Sequence, residues 1–190
     1  LLAPLSGEDR RRLLAAMATV ETVLGAPTPA TEPYLLRPHR PGDLGWVVHR
    51  QAVLYTEEYG WDNGFEALAA EVAANFIRDF DPVHECAWIA ERDGEIVGSV
   101  FVVRVSDAVA KLRMLYVEPK ARGLKIGRRL VAEAIRFARR TGYATLTLWT
   151  NDVLVAARRI YLEAGFRLTA EERHHSFGHD LVGQTWELNL

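Results

Sequence analysis

Arg122-Gly123-Leu124-Lys125-Ile126-Gly127 is the stretch of this chain best suited to holding a ligand. It follows an apolar run, Leu112 to Val117, and opens a basic helix predicted from about Lys125 to Arg140. A glycine-bearing turn between strand and helix offers free backbone N–H groups at a helix N-terminus, where a pyrophosphate is favoured. Gly123 and Gly127 carry no side chain to keep backbone away from such a ligand. Eight basic residues lie between Lys120 and Arg140 against one acid, Glu133, in a chain whose net charge is −2. That local field suits a polyanion. Arg122, Lys125, Arg128 and Arg129 stand within a turn of the loop and are expected near phosphate. Arg136, Arg139 and Arg140 suit a solvated helix face.

Other residues could do chemistry. Tyr55, Glu58, Tyr59 and Trp61 form an aromatic and acidic segment that suits a cationic amine, or equally an amphipathic helix end with core aromatics. His174, His175, His179 and Asp180 are dense in a segment expected to be a loop, but their spacing matches no familiar zinc pattern, so no metal is expected. A loop lining a ligand site, able to supply a base, is the preferred reading. Lys111 and Arg113 raise the possibility of an acceptor that carries a carboxylate. Cys86 is the single cysteine, so no intrachain disulfide can form, and a buried strand thiol is expected there.

These residues need elements to position them. Strands are expected near Tyr34 to Arg37, Ala87 to Arg92, Glu95 to Val105, Leu112 to Val117, Ala144 to Trp149 and Gln184 to Leu190. Helices are expected from about Asp43 to Glu58, Phe65 to Phe80, Lys125 to Arg140 and Asp152 to Ala164. Asp93-Gly94 is a hairpin signal, and Gly165 is a helix stop. Alternating strands and helices predict a mixed α/β sheet.

The phosphate loop resembles the acetyl-CoA loop of the GCN5-related N-acetyltransferases, the GNAT superfamily, whose motif is Gln/Arg-x-x-Gly-x-Gly/Ala. Lys125 stands where that motif has its central glycine. The resemblance continues downstream, where Tyr161-Leu-Glu-Ala-Gly165-Phe166 matches Tyr-x-x-x-Gly-Phe, with Ala157 as the small residue four before the tyrosine. The family's asparagine seven residues before the tyrosine is Leu154 here, and the nearest amide is Asn151. The resemblance covers Tyr34 to Leu190. It implies a GNAT-type, mostly antiparallel sheet of about six to seven strands, flanked by helices and splayed at the central strands.

It also implies acetyl-CoA as cosubstrate, no metal, and transfer of the acetyl group to a primary amine of a small molecule or protein. Leu115, Tyr116 and Val117 would pair with the pantetheine arm, and Arg122 to Arg128 would hold the diphosphate, with Asn151 and Ala157 nearby. Tyr161 would protonate the leaving thiolate. A phenol titrates near 10 and a thiol near 8.5, so the phenol stays protonated at neutral pH. No base is singled out. Glu118 beside the loop reads as a cap, while Glu57, Glu58 and the late histidines are candidates. The alternative is a non-catalytic sensor that binds CoA or acyl-CoA and serves a transcriptional regulator.

Composition is that of one globular enzyme domain. The chain has 190 residues, 49% of them hydrophobic and 25% charged, with no apolar run long enough to span a bilayer. A soluble, cytoplasmic protein is expected, with no direct binding to nucleic acid by this chain alone and homodimerisation possible. Residues 1–33 read as a separate N-terminal helix from about Ser6 to Leu24 followed by a proline-rich linker, and residues 34–190 as the acetyltransferase domain. The first residue is Leu, so a piece of a longer product or a trimmed form is expected. The helix resembles the closing dimerisation helix of MarR-type regulators, some of which are fused to a GNAT domain. A plain helix packed on its own domain is equally compatible with the sequence.

Overall fold

The computed structural model describes residues 34–190 together with Asp9, Arg12, Leu13, Ala16, Met17, Thr19, Val20, Val23 and Leu24. Those upstream positions are helical except Leu24, which is in a turn. The expected linker, residues 26–33, lies outside the described residues.

The described elements run in the order β1 (Leu35–Pro38), α1 (Asp43–Tyr59), α2 (Asn63–Asp79), β2 (Cys86–Arg92), β3 (Glu95–Arg104) and β4 (Val109–Val117). After a 3-10 turn at Pro119–Ala121 come α3 (Ile126–Thr141), β5 (Thr145–Asn151), α4 (Val155–Glu163), β6 (Arg167–Ser176) and β7 (His179–Asn189). The seven strands form one sheet in the order β1-β2-β3-β4-β5-β7-β6. Only β4 and β5 pair in parallel, because α3 carries the chain back between them.

Strand alternation assigns the two faces. On β4, Ala110 and Leu112 join Leu130, Val131 and Ala134 of α3 in the main core. On the other face, Ala87, Ile89 and Phe101 meet Leu44 and Val47 of α1 and Phe76 of α2. A third cluster, Trp61, Phe65, Ala69 and Leu181, joins the α1–α2 connection to β7. The sheet is thus covered on both faces, and burial pushes the Cys86 thiol up to about 12, which keeps it protonated and inert. No helix among the described residues is long and apolar enough to cross a membrane.

Two expectations change. The histidine-rich segment is not a loop. It belongs to a long hairpin in which β6 pairs with β7 from Arg167↔Glu187 to Ser176↔His179. Phe177 and Gly178, both at positive φ, make the two-residue turn. The last strand, expected from Gln184, begins already at His179, and β6 ahead of it is a largely exposed edge strand that follows the buried Phe166.

Candidate active site

The β4–β5 ladder begins at Val109↔Thr145 and stops at Leu112↔Leu148. Beyond it β4 continues to Val117, paired only with β3, and β5 continues to Asn151, paired only with β7. The two strands therefore separate, and the backbone of Arg113 to Val117 has no strand partner on its β5 side. A bulge re-aims this stretch. Phe101 pairs with Arg113 and Ser99 with Tyr116, so Met114 and Leu115 together oppose Val100. Met114 sits at φ 53°, and the Ser99 hydroxyl donates to its carbonyl at 2.9 Å. The buried Gln51 amide of α1 reaches the same carbonyl at 3.4 Å. The bulge is thus pinned from both β3 and α1.

A cavity of about 510 Å³ opens on one side of the split. Its lining includes Leu115, Tyr116, Val117, Ala157 and the loop residues Arg122, Gly123, Lys125, Ile126, Gly127 and Arg128. Gly123 lies at φ 85° with open space around it, so conformation requires glycine there. Lys125 is also left-handed, at φ 61°, and precedes α3 without any side-chain cap. The backbone at the family's central glycine position is thus kept although the residue is not, and the first N–H groups of α3 are left for a ligand. Gly127 lines the cavity as well and has a second neighbour. A Cβ there would come within 2.9 Å of Ile160 Cδ1, so it serves the close approach of α3 and α4.

The cations around this cavity are partly engaged. Arg122 pairs with Glu58 at 2.6 Å and Arg128 with Glu163 at 2.7 Å. Arg129 departs from the expectation that it would lie near phosphate: its guanidinium sits 5.2 Å from the ring centroid of Tyr34. Glu58 and Tyr59, read from the sequence as candidates for the acceptor, line this same cavity.

A second cavity, about 350 Å³, lies on the other side. Trp61, Phe65, Trp149 and Phe177 wall it, and Lys111 and Arg113 of β4 enter its lining. Tyr55, Leu115, Leu154 and Ala157 line both cavities, which therefore meet at the point where the strands part. Tyr161 is buried in this second wall, and no described residue hydrogen-bonds its hydroxyl. Burial, with Tyr55 adding a smaller push, raises its pKa, so the phenol keeps its proton throughout the neutral range.

The remaining candidates fall in distinct places. Asn151 lines the second cavity and not the first, and its amide oxygen is 2.9 Å from His174 Nε2. Leu124 packs against the main core and lines neither cavity. His174 also lies 2.9 Å from Ser176 Oγ and stacks obliquely beside Trp149, so it braces the wall. His175 faces solvent beside Asp180 at 2.7 Å, away from both cavities. His179 reaches the Gly60 carbonyl at 3.0 Å. The three histidines point to three different partners, and no group able to hold a metal occurs among the described residues.

Glu118 is not a cap. Its side chain makes no cap bond and turns instead to Arg50, 2.6 Å away, and to the Tyr116 hydroxyl. Burial opposes its charge, but these two donors outweigh burial and hold its pKa below the ordinary carboxylate value. Sequence reading missed this triad because Arg50 lies 68 residues away. It also missed Phe65, Trp149 and Phe177 as cavity walls, although Trp149 at the end of an expected strand was a usable signal.

Fold and site together give a sheet split between β4 and β5, with an uncapped helix start beside one cavity and a buried, protonated phenol in the wall of the other. A model of the Acetyltransferase (GNAT) family matches residues 50–166, and the chain belongs to that family, the acetyl-CoA-dependent N-acetyltransferases. The chain is 34% identical over 123 residues to an uncharacterized N-acetyltransferase of Schizosaccharomyces pombe, a match covering 64% of this chain and 75% of that protein. Further curated relatives are longer, and the match spans between 32% and 64% of their length. Among solved structures, the ribosomal-protein-alanine N-acetyltransferase of Brucella melitensis superposes with a TM-score of 0.66 at 23% identity, covering 82% of this chain and 99% of that one. YncA of Salmonella typhimurium, solved with its cofactor acetyl-CoA, gives 0.64 at 22% identity, covering 84% of this chain and 95% of that one.

Proposed function

We propose that acetyl-CoA occupies the larger cavity, that an amine enters through the smaller one, and that Tyr161 protonates the departing thiolate where the two meet. The observation that carries this reading is the meeting itself. Leu115, on the unpaired edge of β4, lines both cavities, and the Tyr161 phenol lies in the wall beside it. The cradle fits a diphosphate, since Lys125 starts α3 without a cap and Gly123 leaves open space. Arg122 and Arg128 add charge at the same mouth. Acetyl-CoA supplies the acyl carbon and a sulfur leaving group. The free β4 backbone is placed to hydrogen-bond the donor's arm and carbonyl, which polarises the carbonyl toward attack.

Tyr161 is available for the acid's part because its phenol carries its proton and no described residue hydrogen-bonds its hydroxyl. Tyr161→Phe removes that proton and little else. The expected result is a fall in kcat of about 100-fold, within the range for loss of a general acid. Affinity for acetyl-CoA, measured by calorimetry, stays within about 2-fold, because removing one hydroxyl leaves the phosphate contacts intact. An unchanged kcat removes Tyr161 from the chemistry.

A further inference from the structure

Several cations that border the site hold a carboxylate: Arg50, Arg122 and Arg128 each have one within 2.7 Å. Lys111 and Arg113 do not. Both are half-buried on β4, both enter the lining of the smaller cavity, and neither forms an ion pair or hydrogen bond with a described residue. Burial lowers the proton affinity of each, Arg113 adds to the effect on Lys111, and Glu71 offsets part of it for Arg113 without pairing. Two like charges held side by side away from bulk water are unfavourable unless something anionic joins them. Nothing in the cavity lining can do so, for it contains no aspartate, glutamate or histidine.

Resting on the assignment of this cavity to the acceptor, we infer that the acceptor is an amino acid with a bulky apolar side chain, its carboxylate received by Arg113 and Lys111. The side chain lies against Trp61, Phe65 and Phe177, whose rings meet with centroids 4.8–5.5 Å apart. Lys111 and Arg113 stand two residues apart on one face, about 7 Å along the strand, a span that long side chains close around one carboxylate. A simple hydrophobic amine or diamine would bring a positive charge to two others with nothing to balance it.

The test compares acceptors that differ only in the carboxylate. With the full chain and acetyl-CoA, release of CoA thiol is followed for the twenty common amino acids and for their decarboxylated amines, phenylalanine against phenethylamine being the central pair. The expected kcat/KM ratio is at least about 100-fold in favour of phenylalanine, the scale of a charge-assisted bidentate contact. Arg113→Gln removes most of that ratio while phenethylamine changes by no more than a few-fold. Lys111→Gln does the same to a smaller extent and serves if the first variant melts early. Amines used as well as amino acids, or a variant that slows both members of the pair equally, overturns the inference. Calorimetry separates this outcome from failure of the transferase reading. Loss of acetyl-CoA binding strikes that reading, whereas intact acetyl-CoA binding with no preference for carboxylates strikes only the acceptor. If no compound turns over, titration of phenylalanine and phenethylamine into the protein–CoA complex decides, and absence of phenylalanine binding there overturns the inference.

Discussion

At the scale of single residues, the site depends on groups whose charge state is set by a few close neighbours. Glu118 is the clearest case. Its side chain is 7% exposed and joins Arg50 of α1 to Tyr116 at the end of β4, so one carboxylate ties the helix to the strand that borders the donor cavity. Because its folded pKa is depressed, its contribution is fully present above the unfolded value near 4.3 and is lost as pH falls through the folded value. Asp43, hydrogen-bonded by Arg37 against the opposing effect of burial, is shifted the same way and adds to the same acid loss. Glu118→Gln leaves Arg50 without its counter-charge and is expected to cost roughly 2 kcal/mol at pH 7, or about 4–8 °C in Tm for a domain of this size. The difference between wild type and variant should shrink as pH falls below about 4, because the wild-type group is then protonated too. Thermal melts at pH 7, 5 and 3 measure this, and a difference independent of pH would show that the ion pair contributes nothing.

At the scale of elements, the acceptor wall is built where β5 and β7 pair. Asn151 faces Gly183 across that ladder, and a Cβ on Gly183 would come within 2.8 Å of Trp149 Cζ2. The indole of Trp149 therefore lies over a residue that must have no side chain. Gly183→Ala forces the ring to move, and Trp149 lines only the smaller cavity. A several-fold change in acceptor KM with unchanged acetyl-CoA affinity is expected, since about 1–2 kcal/mol of overpacking is confined to one wall. Equal changes in both constants would mean that the sheet itself had shifted. The same elements show what the sequence could and could not disclose. β3, β4 and α3 were legible because their apolar residues alternate or recur along a stripe facing one core. The loop was legible because its glycines and cations are local. β6 was not, since a mostly exposed edge strand has no apolar face to leave a period, and the segment from His174 to Asp180 read as a loop. Nor could the sequence show that Gly127 answers to Ile160, or that Asn151 turns to His174, because those partners come from other elements. Lys111 and Arg113 were visible as misplaced cations, and only the cavity shows that they lack partners.

At the scale of the whole molecule, the fold brings the C-terminal end of α1 over the split between β4 and β5, and this end serves both cavities. Tyr55 reaches both, while Glu58 and Tyr59 reach the donor side. The tip of the β6–β7 hairpin fixes the connection after α1: the Asp62 N–H donates to the Phe177 carbonyl at 3.2 Å, and His179 reaches Gly60. Glu58 is consequently held at the mouth of the cavity proposed for the diphosphate, where it takes Arg122 at 2.6 Å. A diphosphate entering there must compete with that carboxylate for the same guanidinium, and it also meets its repulsion. Glu58→Gln removes both effects while leaving the side chain's size unchanged. Acetyl-CoA should then bind about 2–5-fold more tightly, the scale of one partly exposed charge pair. The gain should shrink between 50 and 200 mM salt, because screening weakens charges near the surface. Weaker binding in the variant would reverse the argument. Glu58 would then be holding Arg122 ready for the diphosphate, and the carboxylate would belong to the cradle instead of competing with the ligand for it.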